Sequence, residues 1–287
     1  MYGQKIGMAA ISSLSTPIAE QIRILKKVGF EAFATLHSSD ANYDEYRRIA
    51  DECGMVYEYI HAPFTNAARM WEDGAEEFVN ELIACVDICA KYRVPKMVVH
   101  AYIGFEPKSV IPEPRRSIGI KNYRTVCEYA RDLGVKVAIE NTEGEEYLEA
   151  LMTELADLDN VGFCWDTGHQ MCYNFDRDMA ALYGDRLLVT HLNDNLGVRD
   201  ASGEITWIDD LHLLPFDGIG DFDLIARRIA ESAPLEILMF ELNKNNRPDR
   251  LCNERYVKMS TEEYFTEAYI RACRVATLVK KYRKGLK

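Results

Sequence analysis

The sequence predicts an α/β protein, a single (β/α)8 TIM barrel spanning residues 1–287. Three observations carry that reading. Short apolar, β-branched runs alternate with amphipathic stretches eight times along the chain. Glycines stand between a helical stretch and the next apolar run at Gly29, Gly54 and Gly134, where a left-handed C-cap is needed. Five apolar runs stop at an acidic residue or a histidine: His100, Glu140, Asp166 (with His169 three residues on), His191 and Glu241. A charge at the end of a buried strand is costly unless it coordinates something. Repeated around a ring of parallel strands, the pattern describes a divalent-metal site at the C-terminal mouth of a barrel.

The predicted strands are 4–10, 31–36, 56–61, 96–101, 136–141, 161–165, 187–191 and 235–241. Between them, PIAEQIRILKKVG opens with Pro17 near a helix N-terminus, and NYDEYRRIADECG ends at Gly54. WEDGAEEFVNELIACVDICAKY is a longer helix, and RSIGIKNYRTVCEYARDLG ends at Gly134. YLEALMTELAD, DRDMAALYG, DFDLIARRIAES and TEEYFTEAYIRACRVATLVKKY complete the helical set. A doubly wound open sheet is the alternative. No GxGxxG follows the first strand, and the charged strand ends are spread over the chain rather than gathered at one switch point. Eight strands close into a barrel that side chains can fill. Segments 193–220 and 242–259 lack a regular pattern and follow late strands, so they are expected to overhang the mouth as lid or specificity loops.

Composition narrows the function. The net charge of -12 argues against a nucleic-acid partner, because binding to phosphates is driven by Lys and Arg. The basic tail KKYRKGLK reads as a solvated helix end. No apolar run reaches membrane-spanning length, and the N-terminus lacks the form of a secretory signal, so a cytoplasmic protein is expected. The eight cysteines show no CxxC pair and are expected to be free thiols.

Glu140, Asp166, His191 and Glu241 end the last four predicted strands, which places them around one rim. Three carboxylates and an imidazole suit one divalent ion, Mn, Mg, Co or Zn. The strings IENTEGE, CWDTGH, HLND, DLH…DGIGDFD and FELN resemble the xylose-isomerase-like TIM-barrel superfamily. Its members include sugar phosphate isomerases and epimerases related to tagatose 3-epimerase, and endonuclease-IV-type AP endonucleases. The resemblance implies that Glu140, Asp166, His191 and Glu241 hold the metal, and that Glu140 and Glu241 also form the acid/base pair. It places His169 against the substrate and implies a homo-oligomer. The implied reaction is isomerisation or epimerisation of a small carbohydrate by proton abstraction next to a metal-polarised carbonyl, through an enediolate.

The same superfamily supplies a rival, a trinuclear-zinc phosphodiesterase. Such a site needs further ligands, and His61, His100, His169 and the Asp210–His212 pair stand at matching positions, leaving only His37 as a structural histidine. The acidic charge and the sugar-enzyme form of DLHLLPFDGIG favour the sugar reading, in which His61, His100, His169 and His212 contact substrate. An arginine expected six residues after His191 is replaced by Gly197, with Arg199 two positions on as the candidate contact. That departure keeps a metal-dependent lyase or dehydratase acting on a keto-sugar or cyclitol as a further alternative. Trp165 is expected to pack between barrel and helices, and Trp207 to form an apolar wall against a sugar face. Arg247, Arg250, Arg255 and Lys258 either meet an anionic substrate group or belong to a solvated loop.

Overall fold

The computed structural model describes residues 3–106, 109–175 and 177–285. Eight parallel strands run β1 (Lys5–Ala9), β2 (Ala32–Leu36), β3 (Val56–His61), β4 (Lys96–His100), β5 (Lys136–Glu140), β6 (Val161–Asp166), β7 (Leu187–His191) and β8 (Ile237–Phe240). They pair in the order β7-β6-β5-β4-β3-β2-β1-β8. Between β7 and β8 the ring closes through a parallel bridge, Leu192 to Phe240. There the Thr190 hydroxyl stands in for ladder bonds, accepting from Met239 N at 3.0 Å and donating to Met239 O at 3.1 Å. The structure is therefore the single barrel that the alternating pattern predicts.

The helices are α1 (Ile18–Val28), α2 (Tyr43–Cys53), α3 (Glu76–Lys91), α4 (Arg115–Asp132), α5 (Glu145–Glu154), α6 (Thr167–His169), α7 (Met179–Tyr183), α8 (Phe222–Glu231) and α9 (Thr261–Gly285). Their ends follow local chemistry. Asn42 caps α2 by accepting from Glu45 N at 3.1 Å, and Asp221 caps α8 by accepting from Asp223 N and Leu224 N at 3.0 Å each. Gly54 closes α2 in the left-handed region, at φ 62°. No helix among the described residues is long and apolar enough to cross a membrane.

Two apolar layers form. The barrel interior is lined by small and medium side chains such as Ala34, Val98, Ala138, Cys164, Val189 and Met239. A larger layer between strands and helices holds the bulky residues, among them Phe33, Trp71, Phe163 and Trp165. Strand alternation sorts each strand between the two. On β5, Val137 and Ile139 face the helices while Ala138 and Glu140 face inward, so a charge at the strand end lands at the mouth of the ring. Trp165 packs between the layers as expected, its indole N–H donating to Gln170 Oε1 at 2.9 Å.

Two strands break this alternation. Phe33 pairs with Tyr57 but Ala34 with Tyr59, so Glu58 is an extra residue in β3. Phe163 pairs with Leu187 but Cys164 with Val189, so Leu188 is extra in β7. Each bulge shifts the phase by one residue. Tyr57 and Leu187 pack outward, whereas Tyr59 and Val189 face the interior and are followed two residues on by His61 and His191. Bulges near active sites commonly re-aim side chains in this way.

Candidate metal centre and active site

Glu140, Asp166, His191 and Glu241 converge at the C-terminal ends of β5 to β8, each offering one ligand atom within 4.8 Å of the others. His191 Nδ1 lies 3.0 Å from Glu140 Oε1, 2.8 Å from Glu241 Oε2 and 3.9 Å from Asp166 Oδ2. Glu140, Asp166 and His191 are fully buried, and the Glu241 side chain is 27% exposed toward the cavity.

The supporting residues fix these groups. Asn141 Oδ1 accepts from Asp166 N, and its amide donates to Asp166 O, both at 2.8 Å, locking the end of β6. Asp166 caps α6, accepting from His169 N at 2.7 Å. Asp194 ties down the loop after β7, accepting from Gly218 N at 2.8 Å and Gly220 N at 2.9 Å.

Five of the six histidines crowd the same place. His61 Nε2 stands 3.1 Å and His100 Nε2 3.4 Å from Glu140 Oε2, and His169 Nδ1 is 3.2 Å from Glu140 Oε1. Asp210 carries His212, Nε2 to Oδ1 2.8 Å, and meets His169 Nε2 at 3.4 Å. His37 stays apart, bonded to the Tyr43 hydroxyl at 2.8 Å. Three further ligand groups result among the described residues: His61, His100 and Glu140; Asp166, His169 and His212; and Glu140, Cys164 and His191.

Burial by itself would raise the Glu140 carboxyl, but the His191 charge and hydrogen bonds from His100, His169 and His191 hold it well below the carboxylate range. Glu241 is likewise opposed by burial, yet His191 and His212 bring it down to about 2. His212 gains most from Asp210 against its burial and rises to about 9. Four acidic groups, Glu140, Asp166, Asp210 and Glu241, are thus gathered where water is largely excluded, offset by the neighbouring imidazoles and, at Asp210, by Arg247 at 3.1 Å. Buried charge of this kind is what a divalent ion neutralises, and a mixed carboxylate and imidazole donor set suits one. The residues fit a metal.

The cavity above them has a volume of about 420 Å³. Glu140, Glu241, His61, His100, His169 and His212 all line it, as does Trp207. Arg199 does not; its side chain borders a separate depression beside Asp200 and Glu204, and its backbone N–H donates to Asp209 Oδ1 at 2.9 Å. The cationic wall is Arg247 instead, with its guanidinium 5.8 Å from the Trp207 ring centre. Arg250 is turned to Asp209 at 2.8 Å, while Arg255 and Lys258 are exposed. Sequence reasoning missed Tyr59, whose buried phenol lines the cavity, because the bulge that turns it inward has no local signature. It also left Asn141 and Asn193 without a role, although both lie within two residues of a predicted ligand.

The sequence model of the xylose isomerase-like TIM barrel family matches residues 22–255. The chain belongs to this family. This xylose isomerase-like barrel is 25% identical to the uncharacterized protein y4fM of Sinorhizobium fredii, across 91% of the chain and 89% of y4fM. A probable endonuclease 4 of Cenarchaeum symbiosum is 25% identical over 47% of the chain and 54% of its own length. Among solved structures, the IOLI protein with a binding zinc atom superposes with TM-score 0.76 at 19% identity, covering 97% of this chain and 99% of that one. D-psicose 3-epimerase with D-tagatose, from Clostridium cellulolyticum H10, gives 0.71 at 13% identity, covering 95% and 99%. At these identities the structural likeness shows the fold.

Proposed function

We propose that this barrel is a divalent-metal-dependent isomerase or epimerase of an uncharged keto-sugar or polyol. One observation carries the reading: at the mouth of the barrel two carboxylates of the metal-type set, Glu140 and Glu241, line one cavity. Among the described residues Arg247 is its only lysine or arginine, and Asp210 already engages it, Nη2 to Oδ2 3.1 Å. A phosphate backbone would find no unpaired lysine or arginine among the described residues that line the cavity.

A divalent ion held by Glu140, Asp166, His191 and Glu241 would polarise a bound carbonyl with its neighbouring hydroxyl and stabilise the enediolate left by proton removal. The chain does the rest. Glu241, ionised and open to the cavity, accepts a proton from the carbon beside the carbonyl. Glu140, enclosed by three imidazoles beside His191, would receive a proton from His169, Nδ1 to Oε1 3.2 Å, and deliver it to the opposite face of that carbon. Glu241 releases its own proton to solvent through the cavity, and His169 is reprotonated from there. His169 and His212, oriented by Asp210, offer hydrogen bonds to sugar hydroxyls, and Trp207 gives an apolar wall at the rim. Zinc bound by IOLI, and the tagatose complex of the psicose epimerase, support this assignment.

A second reading, three-zinc phosphodiester hydrolysis, is favoured by two of the additional ligand groups, His61, His100 and Glu140 and Asp166, His169 and His212, which share Glu140 and Asp166 with the first. Elemental analysis of protein purified without chelator separates the two. About one metal per chain, with solvent deuterium entering a ketose in D₂O, is the expected result. Close to three zinc ions, with cleavage of an abasic-site duplex, would replace it. Glu140→Gln is expected to lose metal and turnover together; full metal content in that variant would remove Glu140 from the ligand set.

A further inference from the structure

The central cavity has an annex. A cleft of about 290 Å³ opens between the loops that follow β1 and β2, and Ala10, Ser12, Thr35 and Leu36 line both spaces. The cleft runs from this shared wall toward the start of α1. Its sides are apolar at Leu14 and Ile18 and polar at Ser38 and Asp40. Asp40 is its only charged lining residue among those described.

Resting on the isomerase or epimerase reading, we infer that the substrate is a keto-sugar carrying an uncharged O-linked substituent, such as a second sugar ring, and that the substituent lies in this cleft. Because Ala10, Ser12, Thr35 and Leu36 line both spaces, the cleft adjoins the central cavity on its β1 and β2 side, within reach of a substituent carried by a sugar bound there. The mixed lining matches a pyranose, which offers apolar C–H faces and hydroxyls in alternation. A phosphate is disfavoured, since the cleft presents a carboxylate and no cation. A bare sugar held at the metal-type residues would leave the annex contacts unused.

The test uses the full chain loaded with Mn²⁺ and three sets of probes: D-fructose and D-tagatose, their phosphate esters, and the glucosyl-ketoses turanose, maltulose and isomaltulose. Solvent deuterium incorporation gives kcat/KM, and calorimetry gives affinity. At least one glucosyl-ketose is expected to exceed its free ketose by about tenfold in kcat/KM. Ser38→Trp fills the cleft from an exposed position and should abolish that advantage, leaving the free ketose within about twofold; Ser38→Ala should keep the advantage. Equal rates for free and glucosylated ketoses, preference for a phosphate ester, or equal losses for both in Ser38→Trp would overturn the inference while the enzyme reading stands. Deuterium entering none of the sugars would sink the enzyme reading. In that event, tighter calorimetric binding of glucosyl-ketoses, lost in Ser38→Trp, would still support the cleft, and no difference would overturn it.

Discussion

The side-chain amide of Asn193 donates to both carboxylate oxygens of Asp166, at 3.1 and 2.9 Å. Asn193 is fully buried and stands two residues beyond His191, so one short segment supplies a ligand and the group that orients a second ligand. Outer hydrogen bonds to metal-binding carboxylates commonly contribute about 10- to 100-fold in affinity. Asn193→Ala should therefore weaken metal binding by about that factor, with far-UV circular dichroism unchanged. Chelator competition reads it, and an unaltered dissociation constant would deprive Asn193 of this role.

Gly168 is what leaves room for that amide. A Cβ built at Gly168 would lie 1.9 Å from Asn193 Oδ1. Gly168→Ala should push Asn193 aside and reproduce the metal loss of Asn193→Ala, with a stability cost of about 1–3 kcal/mol from overpacking. Because both act through one contact, the double variant should bind metal no worse than Asn193→Ala alone. Additive losses in that cycle would show that Gly168 acts by another route.

The strand ends at Glu140, Asp166 and Glu241 were legible because alternation runs unbroken into them, and an apolar run that halts at a carboxylate is a local signal. His61 and His191 were legible only as residue types. The inward aim of each depends on an extra residue, Glu58 or Leu188, and a bulge is set by pairing with the neighbouring strand rather than by its own sequence. Arg199 shows the opposite failure. Counting residues from His191 suggested a substrate contact, but Asn195 and Asp209 organise the loop so that Arg199 turns away and Arg247, from the next long loop, reaches the cavity. Long loops without periodicity carry little of this information, because backbone-to-side-chain bonds between distant residues determine their paths.

His37, the histidine outside the cavity, gives a clean pH signature. Burial lowers its pKa below 6.5, against a smaller opposing effect of Glu81. The folded state then binds its proton less readily than the unfolded chain does. The contribution to stability is complete above pH 6.5 and is lost as pH falls through the folded value. In urea titrations at a series of pH values from 7.5 downward, wild type should lose more stability than His37→Gln. Parallel curves for the two proteins would mean that His37 titrates alike in both states.

Tyr59 sets stability against function. Its phenol is wholly buried, stacks on His191 with ring centres 5.2 Å apart, lines the cavity, and has a hydroxyl with no hydrogen-bond partner among the described residues. A buried hydroxyl left unpaired costs about 1–3 kcal/mol, so replacing it with an apolar isostere should relieve the fold. Tyr59→Phe should raise the melting temperature of the metal-loaded protein by a few degrees. If the hydroxyl is kept to donate to a sugar oxygen, the same change should raise KM by about threefold to tenfold, the worth of one hydrogen bond, with little effect on kcat. Sites retained for binding at the expense of stability show this pairing of effects. A fall in melting temperature would reveal a structural partner for the hydroxyl, and a raised melting temperature with unchanged KM would leave Tyr59 as packing beneath the metal ligands.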